Sequence, residues 1–300
     1  MSGYVATIGF FDGVHLGHRH LIADVRREAH ERGLQSMVVT FANHPREVTG
    51  NGTVPQLLTT PAEKATLLTA AGIDRCEVLT FDKTLAMMSA SEFMERILRQ
   101  QYGVEVLVIG YDNRFGNGRH AGFDDYVAYG KSLGIEVIRS EVFTSGDLQV
   151  SSSAIRSLIK SGDMRSANAA LGYTYSLSGV IVSGTQTGHT IGFPTANIDP
   201  ASVGKLIPAS GVYAVRVTTA DGSQWEGMMN IGHRPTFHGE GMTIEVNIFG
   251  LEADLYGQTL QVSVVDRLRA EQCYESSEAL RHQLEADRTA AISILSSRQQ

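Results

Sequence analysis

Through residues 1–171, short apolar runs alternate with amphipathic segments. The runs at 4–9 (YVATIG), 36–41 (SMVVTF), 76–81 (CEVLTF), 104–110 (VEVLVIG) and 135–140 (IEVIRS) are of strand length. Between them helical spacing recurs near 18–32, 61–71, 91–102 and 123–133, with Leu21, Ile22, Val25 and Ala29 forming the apolar stripe of the first. Strands that read as unbroken apolar runs are buried on both faces, and the helices between them supply crossovers. The pattern predicts an α/β doubly wound, Rossmann-like parallel sheet.

The rhythm changes after Gly172. Strand patterns follow at 177–183, 211–219, 224–231, 243–249 and 260–266 with no helical spacing between them. Asp221-Gly222 predicts a type I′ hairpin turn. A last helix pattern covers about 277–295, with Ser276 or Ser277 as N-cap and Glu278 in its first turn. Consecutive strands closed by one helix predict a small antiparallel β-barrel with a C-terminal helix. The break at 172–177 sets two expected domains, 1–171 and 177–300, and no repeat or low-complexity tract interrupts either.

A chain of 300 residues has enough apolar sequence for two cores. Net charge is −7 and no Lys/Arg cluster interleaves with aromatics, which argues against a nucleic-acid partner. Small anionic substrates remain open, because local donors rather than net charge would hold them. Cys76 and Cys273 lie far apart, suggesting a reducing compartment. No basic leader precedes the first strand and no apolar run is long enough to span a bilayer, so a cytoplasmic location without a membrane partner is expected. The pattern sets no oligomeric state.

GFFDGVHLGH (9–18) follows the first strand and opens the first helix. In a parallel sheet, ligands bind at the carboxyl ends of strands beneath helix N-termini. Gly9, Gly13 and Gly17 let backbone approach a phosphate, the helix start adds unpaired N–H groups, and His15 and His18 add side-chain donors. A glycine-rich turn with incidental histidines is one alternative. A metal-binding His pair is another, though no Cys or acidic cluster lies nearby to complete a zinc site. Gly130-Lys131-Ser132 imitates a phosphate loop but lies late in a helix pattern, where the dipole repels anions. Asn51-Gly52-Thr53 is a glycosylation sequon without meaning in a cytoplasmic chain.

In the second half, GTQTGHTIGFPTANI (184–198) spaces Gly184, Gly188 and Gly192 along a loop whose amides can wrap phosphates. Pro194-Thr195-Ala196-Asn197 then sets two oxygen-bearing side chains on one face of an extended segment. Hard oxygen ligands suit Mg²⁺. In TIEVNIF, Thr243, Glu245 and Asn247 share one strand face. By itself this makes Glu245 a solvated strand residue.

Taken together these motifs resemble the prokaryotic bifunctional riboflavin kinase/FAD synthetase (FMN adenylyltransferase) family. GFFDGVHLGH resembles its nucleotidyltransferase signature, and FANHP (41–45), IGYDNRFGNGRHAG (109–122) and SSSAIRSLIKSG (151–162) follow in the family's order. PTAN (194–197) resembles the riboflavin kinase signature. NIGHRPTF (230–237), DLYGQTLQV (254–262) and LRAEQCYESSEAL (268–280) continue that match across nearly the whole chain. The resemblance implies an ATP site for adenylyl transfer at Gly9, Phe10, Asp12, Gly13, His15, Gly17, His18, Asp112, Ser152, Ser153 and Arg156. His15, His18 and Arg156 would be catalytic there. It implies a second ATP site at Gly184, Gly188, Gly192, Pro194, Thr195 and Asn197, with Mg²⁺ on Thr195 and Asn197. Glu245 would be the catalytic base, and Arg269 and Glu271 would contact flavin. Riboflavin, FMN and ATP are then substrates, and FMN and FAD products.

The chain departs from the family at Ser153 for threonine, Asn113 for phenylalanine and Tyr274 for phenylalanine. It also carries less sequence before its first strand than the family usually does. A single-activity nucleotidyltransferase with a degenerate barrel and a non-catalytic flavin-binding regulator are the rival readings. Intact Thr195, Asn197, Glu245, His15, His18 and Arg156 argue against both.

Overall fold

The computed structural model describes residues 3–50, 52–111, 113–143, 150–184, 192–236 and 239–297. Contacts divide the chain into two compact units, Met1–Ser152 and Ser153–Gln300.

In the first unit β1 (Tyr4–Ile8), β2 (Gln35–Phe41), β3 (Arg75–Leu79), β4 (Val104–Ile109) and β5 (Glu136–Arg139) form one sheet in the order β3-β2-β1-β4-β5. Every pairing is parallel. The described residues of this unit also form α1 (Leu16–Arg32), α2 (Pro45–Thr49), α3 (Pro61–Ala70), α4 (Lys83–Met87), α5 (Ala90–Phe93) and α6 (Phe123–Leu133). The expected helix near 91–102 continues past α5 as a π-type run over Met94–Gln101.

Alternation along the strands builds two cores. Ala6, Ile8, Met37, Val39, Leu107 and Ile109 face Phe93, Met94, Leu98 and Tyr126 on one side. Val5, Val38, Val106 and Val108 face Leu21, Ile22, Val25, Ala29 and Leu68 on the other. The central strands are therefore largely apolar on both faces, with Thr7, Ser36 and Thr40 buried among them, whereas the edge strands β3 and β5 tolerate Arg, Cys and Glu because they are only partly covered. The chain adds β2 and β3 on one side of β1 and then returns to add β4 and β5 on the other. That switch opens a crevice at the carboxyl end of β1, where the first motif lies. Gly130 lies within α6, where a Cβ would fall 2.4 Å from the Ile135 carbonyl oxygen, so it serves packing.

In the second unit, β6 (Ser176–Val182), β7 (Ala196–Ile198), β8 (Gly211–Thr218), β9 (Gln224–Thr236), β10 (Gly239–Ile248) and β11 (Thr259–Arg269) close a barrel in the order β10-β7-β6-β11-β8-β9. The three-residue β7 is too short to show a period, and it lies within the segment the sequence reads as extended. Tyr213, Val215, Met229, Ile231, Ile244, Val246 and Val262 are fully buried. The C-terminal helix (Ser277–Ser296) is capped by Ser276, whose side chain accepts from the Ala279 N–H. It covers one barrel flank, packing Ala291 and Leu295 on Val212, Ala214, Met228 and Val265.

The hairpin between β8 and β9 corrects the type I′ expectation. Gly222 has φ +86°, but Asp221 is not at positive φ. Thr219 N–H donates to Ser223 O at 3.0 Å, leaving a three-residue loop with glycine at its left-handed position. The Asp221 carboxylate accepts from Thr219 Oγ1, Ser223 N–H and Ser223 Oγ, which favours the longer loop.

Helices α7 (Ser152–Ser161) and α8 (Met164–Leu171) precede the barrel and are stitched to it. Asn168 Nδ2 donates to Val264 O at 2.9 Å, Tyr175 N–H donates to Asn168 Oδ1 at 2.7 Å, and Ala209 N–H donates to Ile159 O at 3.2 Å. Ile159, Ala167, Ala170 and Leu171 are fully buried. Burying a side chain such as Ile159 or Leu171 contributes roughly 1.5–3 kcal/mol. A fragment starting at Ser153 should therefore unfold cooperatively and at clearly higher urea than one starting at residue 177. Equal midpoints for the two would show that α7 and α8 add nothing to the barrel.

Candidate functional site

The first site is a tight turn stabilised from below. Beyond β1, Gly9 N–H donates to Val39 O at 3.1 Å. The chain then passes through positive φ at Phe11 (+55°), Gly13 (+82°) and Val14 (+36°). For a β-branched residue such as Val14 this backbone is strained, so surrounding contacts must hold it. Asp12 supplies them. It is 3% exposed, and its carboxylate accepts from Leu58 N–H (2.9 and 3.0 Å), Thr59 N–H (3.1 Å) and Thr59 Oγ1 (3.2 Å). Gly13 N–H donates to Thr59 Oγ1 at 3.1 Å, and Ser152 Oγ donates to Asp12 O at 3.0 Å. The Asp12 carboxylate is thus committed to the 58–59 backbone, and it acts on the site by shaping the turn.

His15 caps α1, its Nδ1 accepting from His18 N–H at 3.3 Å. An accepting Nδ1 places the proton of the neutral ring on Nε2. The His15 and His18 rings stack with centroids 3.6 Å apart, and Phe11 meets His18 edge-on at 5.1 Å. A Cβ on Gly17 would sit 3.4 Å from the His15 ring, so glycine leaves room for the stack. Burial, then His15, then Lys64 push His18 well below the ordinary imidazole range. Its Nδ1 is buried with no hydrogen-bond partner among the described residues. The first turn of α1 holds no acidic side chain, so its positive end is uncompensated and suits an anion.

Lys64 belongs to this site, though its place in the sequence does not single it out. It is 4% exposed, and Nζ donates to Phe41 O at 2.7 Å and Phe10 O at 3.1 Å. Nζ also lies 4.2 Å from the Phe10 ring centroid, and Phe10 meets His44 edge-on at 4.8 Å. Asn113 donates its amide to Ile8 O, capping the end of β1. Asp112 lies outside the described residues. Exposed Ser153 and half-buried Arg156 stand on α7, in the second unit.

The second site runs across the barrel as one row. Cross-strand register pairs Asn197 on β7 with Glu245 on β10, Glu245 with Asn230 on β9, Asn230 with Val212 on β8, and Val212 with Arg269 on β11. Directly opposed residues share a face. Val212 packs beneath the C-terminal helix, so this row lies on the outer face of the barrel. Asn230 was not among the residues expected from sequence. Its signal there is the alternation of Met228 and Asn230 against buried Met229 and Ile231.

Pro194 has no N–H to extend β7, and its carbonyl is held by a side chain of β10, Asn247. Its Nδ2 donates to Pro194 O at 2.6 Å, and the residue is 8% exposed. A Cβ on Gly184 would fall 2.2 Å from Asn197 Nδ2, so Gly184 forms a cradle for that amide. Thr195 and Asn197 are both half-buried, and an oxygen-only pair beside this cradle fits a hard cation such as Mg²⁺. Among the described residues, no group of three or more His, Cys, Asp or Glu side chains could hold a metal. Gly192 has φ +82°, and Gly188 lies outside the described residues. Glu271 folds over Gly232, where a Cβ would meet its Oε1 at 2.3 Å. Arg269 donates through Nε and Nη2 to Asp287 on the C-terminal helix at 2.8–3.0 Å, and through Nη1 to Ala270 O. Its fork is committed to the helix, so Arg269 fixes the wall of the site.

The comparisons with known proteins match both halves. A FAD synthetase family model matches residues 1–154 and a riboflavin kinase model residues 171–295. The bifunctional riboflavin kinase/FMN adenylyltransferase of Escherichia coli K12 is 35% identical, over 97% of this chain and 92% of that protein. Those of Pseudomonas fluorescens and Bacillus subtilis are 38% and 34% identical, each over 96% of this chain and over 92% and 91% of their own lengths. A crystal structure described as a macrolide-efflux protein from Streptococcus pneumoniae superposes with TM-score 0.88 at 31% identity, covering 97% of this chain and 94% of that one.

Asn247→Ala removes the donor to Pro194 O and should destabilise the second unit by about 0.5–1.5 kcal/mol, the net contribution of a typical hydrogen bond. Backbone amides of Thr195, Ala196 and Asn197 should exchange hydrogen faster, with the remaining barrel strands little changed. Unchanged exchange over 195–197 would show that the bond does not hold this segment.

Proposed function

The chain belongs to the bifunctional riboflavin kinase/FMN adenylyltransferase family, and we propose from that premise that it makes FMN and then FAD. The barrel transfers the γ-phosphoryl group of ATP to riboflavin, and the parallel-sheet domain transfers an adenylyl group from a second ATP to FMN. We assign residues 177–300 to the first reaction and 1–171 to the second, in the cytoplasm and without a nucleic-acid partner. The name of the Streptococcus pneumoniae structure points to transport, but no helix among the described residues is long and apolar enough to cross a membrane.

In the kinase, the Glu245 carboxylate accepts the proton of the terminal ribityl hydroxyl as that oxygen attacks the γ-phosphorus and ADP leaves. The observation that carries this reading is the register of Glu245 beside Asn197, two residues from Thr195. Thr195 and Asn197 would hold Mg²⁺, which supplies charge neutralisation to the ATP phosphates. Gly184 and Gly192 would let backbone amides approach those phosphates. Arg269, clamped to Asp287, and Glu271, laid over Gly232, bound the flavin side.

In adenylyl transfer, an FMN phosphate oxygen attacks the α-phosphorus of ATP and expels pyrophosphate. Such chemistry depends on positioning and on donors aimed at developing charge. His15 through Nε2–H, His18, the α1 N-terminus and Ser152 supply those donors. Gly9, Gly13 and Gly17 allow close backbone approach, Phe10 lines the crevice, and Asp112 contacts the nucleotide.

Two substitutions separate the reactions. His18→Ala should slow FAD formation from FMN by about 10²–10³-fold, the usual effect of losing one preorganised donor, and spare FMN formation. Glu245→Gln should slow riboflavin phosphorylation by roughly 10²–10⁴-fold while supplied FMN is still converted to FAD at the parental rate. Chromatographic assay of FMN and FAD, starting separately from riboflavin and from FMN, reads both. Near-normal phosphorylation by the glutamine variant would falsify the role of Glu245, and equal slowing of both reactions by His18→Ala would make that histidine structural.

A further inference from the structure

We propose that Lys64 is a positioning residue for adenylyl transfer, its ammonium tying the turn after β1 to the end of β2. This rests on the functional reading above and adds a residue to it. At the carboxyl edge of a parallel sheet, terminal carbonyls lose their ladder partners and need other donors. Lys64 Nζ serves two of them, Phe41 O at 2.7 Å and Phe10 O at 3.1 Å, and Phe10 O also accepts from Thr40 Oγ1 at 3.1 Å. The Phe10 ring, in contact with the same ammonium, supports His44. Five residues after Phe10 the chain reaches His15 and then His18, so a shift of Phe10 carries the histidine turn with it.

The placement of α3 reinforces this. Its N-terminus is fixed by Asp12 through Leu58 and Thr59, and its fourth residue returns to Phe10. Two opposite charges, both buried, therefore clamp one strained turn from the same helix entrance. Lys64 is not a catalytic residue, because its ammonium faces protein carbonyls. It acts through the geometry of Phe10, His15 and His18, and a misplacement of about 1 Å in such a site can cost roughly 10²-fold in rate.

The clamp is sensitive to pH. Burial lowers the Lys64 ammonium to about 8, against the opposing pull of Asp12 and Cys76. The groups facing it are Asp12 in the turn, Cys76 on β3, His18 on α1 and His44 beside Phe10. As pH rises through that value the charge is lost, the bonds to Phe10 and Phe41 weaken and the cation–ring contact ends. Burial pushes the Cys76 thiol upward, so its own titration is expected further into the alkaline range.

The test measures FAD formation from FMN and FMN formation from riboflavin on the full chain between pH 6 and 10. In the parental protein FAD formation should decline as pH rises past about 8, while FMN formation follows a different profile. Lys64→Met should form FAD about 10–100-fold more slowly at pH 7, without the alkaline decline, and form FMN at the parental rate. Lys64→Arg, charged throughout, should move the decline to higher pH even if the methionine variant fails to fold. Cys76→Ser should leave the decline in place. The proposal is overturned if Lys64→Met keeps the parental rate, if Lys64→Arg leaves the decline unmoved, or if Cys76→Ser abolishes it. Failure of the parental protein to form any FAD would instead overturn the functional reading itself.

Discussion

The first unit depends on two charges almost wholly buried from solvent. The Asp12 carboxylate gathers the 58–59 backbone, and the Lys64 ammonium gathers the carbonyls of Phe10 and Phe41. Burying either charge alone would be costly, and both are matched by hydrogen bonds from or to the protein, with Asp12 also favouring the ammonium electrostatically. The strain at Phe11 and Val14 is sustained by these bonds. Its result is that His15 caps α1 and stacks on His18, at a helix end whose first turn holds no acidic side chain. Positioning the two imidazoles is therefore a property of the turn, and the turn is a property of the two charges beneath it.

The barrel solves a similar problem by register. Antiparallel pairing fixes which side chains lie abreast, and it sets Asn197, Glu245, Asn230, Val212 and Arg269 in one row from five strands. A slip of one residue on β10 would turn Glu245 inward and put Val246 or Ile244 beside Asn197. The buried alternation of Ile244, Val246 and Ile248 opposes that slip, so the hydrophobic interior secures the polar row outside it. Where Pro194 interrupts the ladder, the Asn247 side chain donates to its carbonyl. The Asp287 carboxylate extends the same logic to the C-terminal helix by clamping Arg269.

Much of this is legible in the sequence because its causes are local. Continuous apolar runs gave the central strands of the parallel sheet, and Leu21, Ile22, Val25 and Ala29 gave the buried face of α1. Ser276 as a cap followed from side-chain chemistry one turn away. Motif order carried the family assignment, which the matches over 1–154 and 171–295 support. The hairpin at Asp221 was misread because its carboxylate accepts three local hydrogen bonds that favour a longer loop. Strand β7 was legible only as an extended segment because three residues show no period.

What the sequence determined by itself was the class of each element, the two-part architecture and the segments that carry chemistry. Tertiary structure decided which distant residues share a hydrogen bond and which charges lose water. Lys64 follows helical spacing to Leu68, and nothing within ten residues of it announces the carbonyls of Phe10 and Phe41. Asp12 reads as a ligand of the motif until Leu58 and Thr59 are brought against it. Asn230 becomes part of the second site only when β9 pairs with β10. Periodicity is written in neighbours along the chain. Hydrogen-bond partners at strand ends, cross-strand rows and desolvation arise only when segments far apart in sequence close on one another and exclude water.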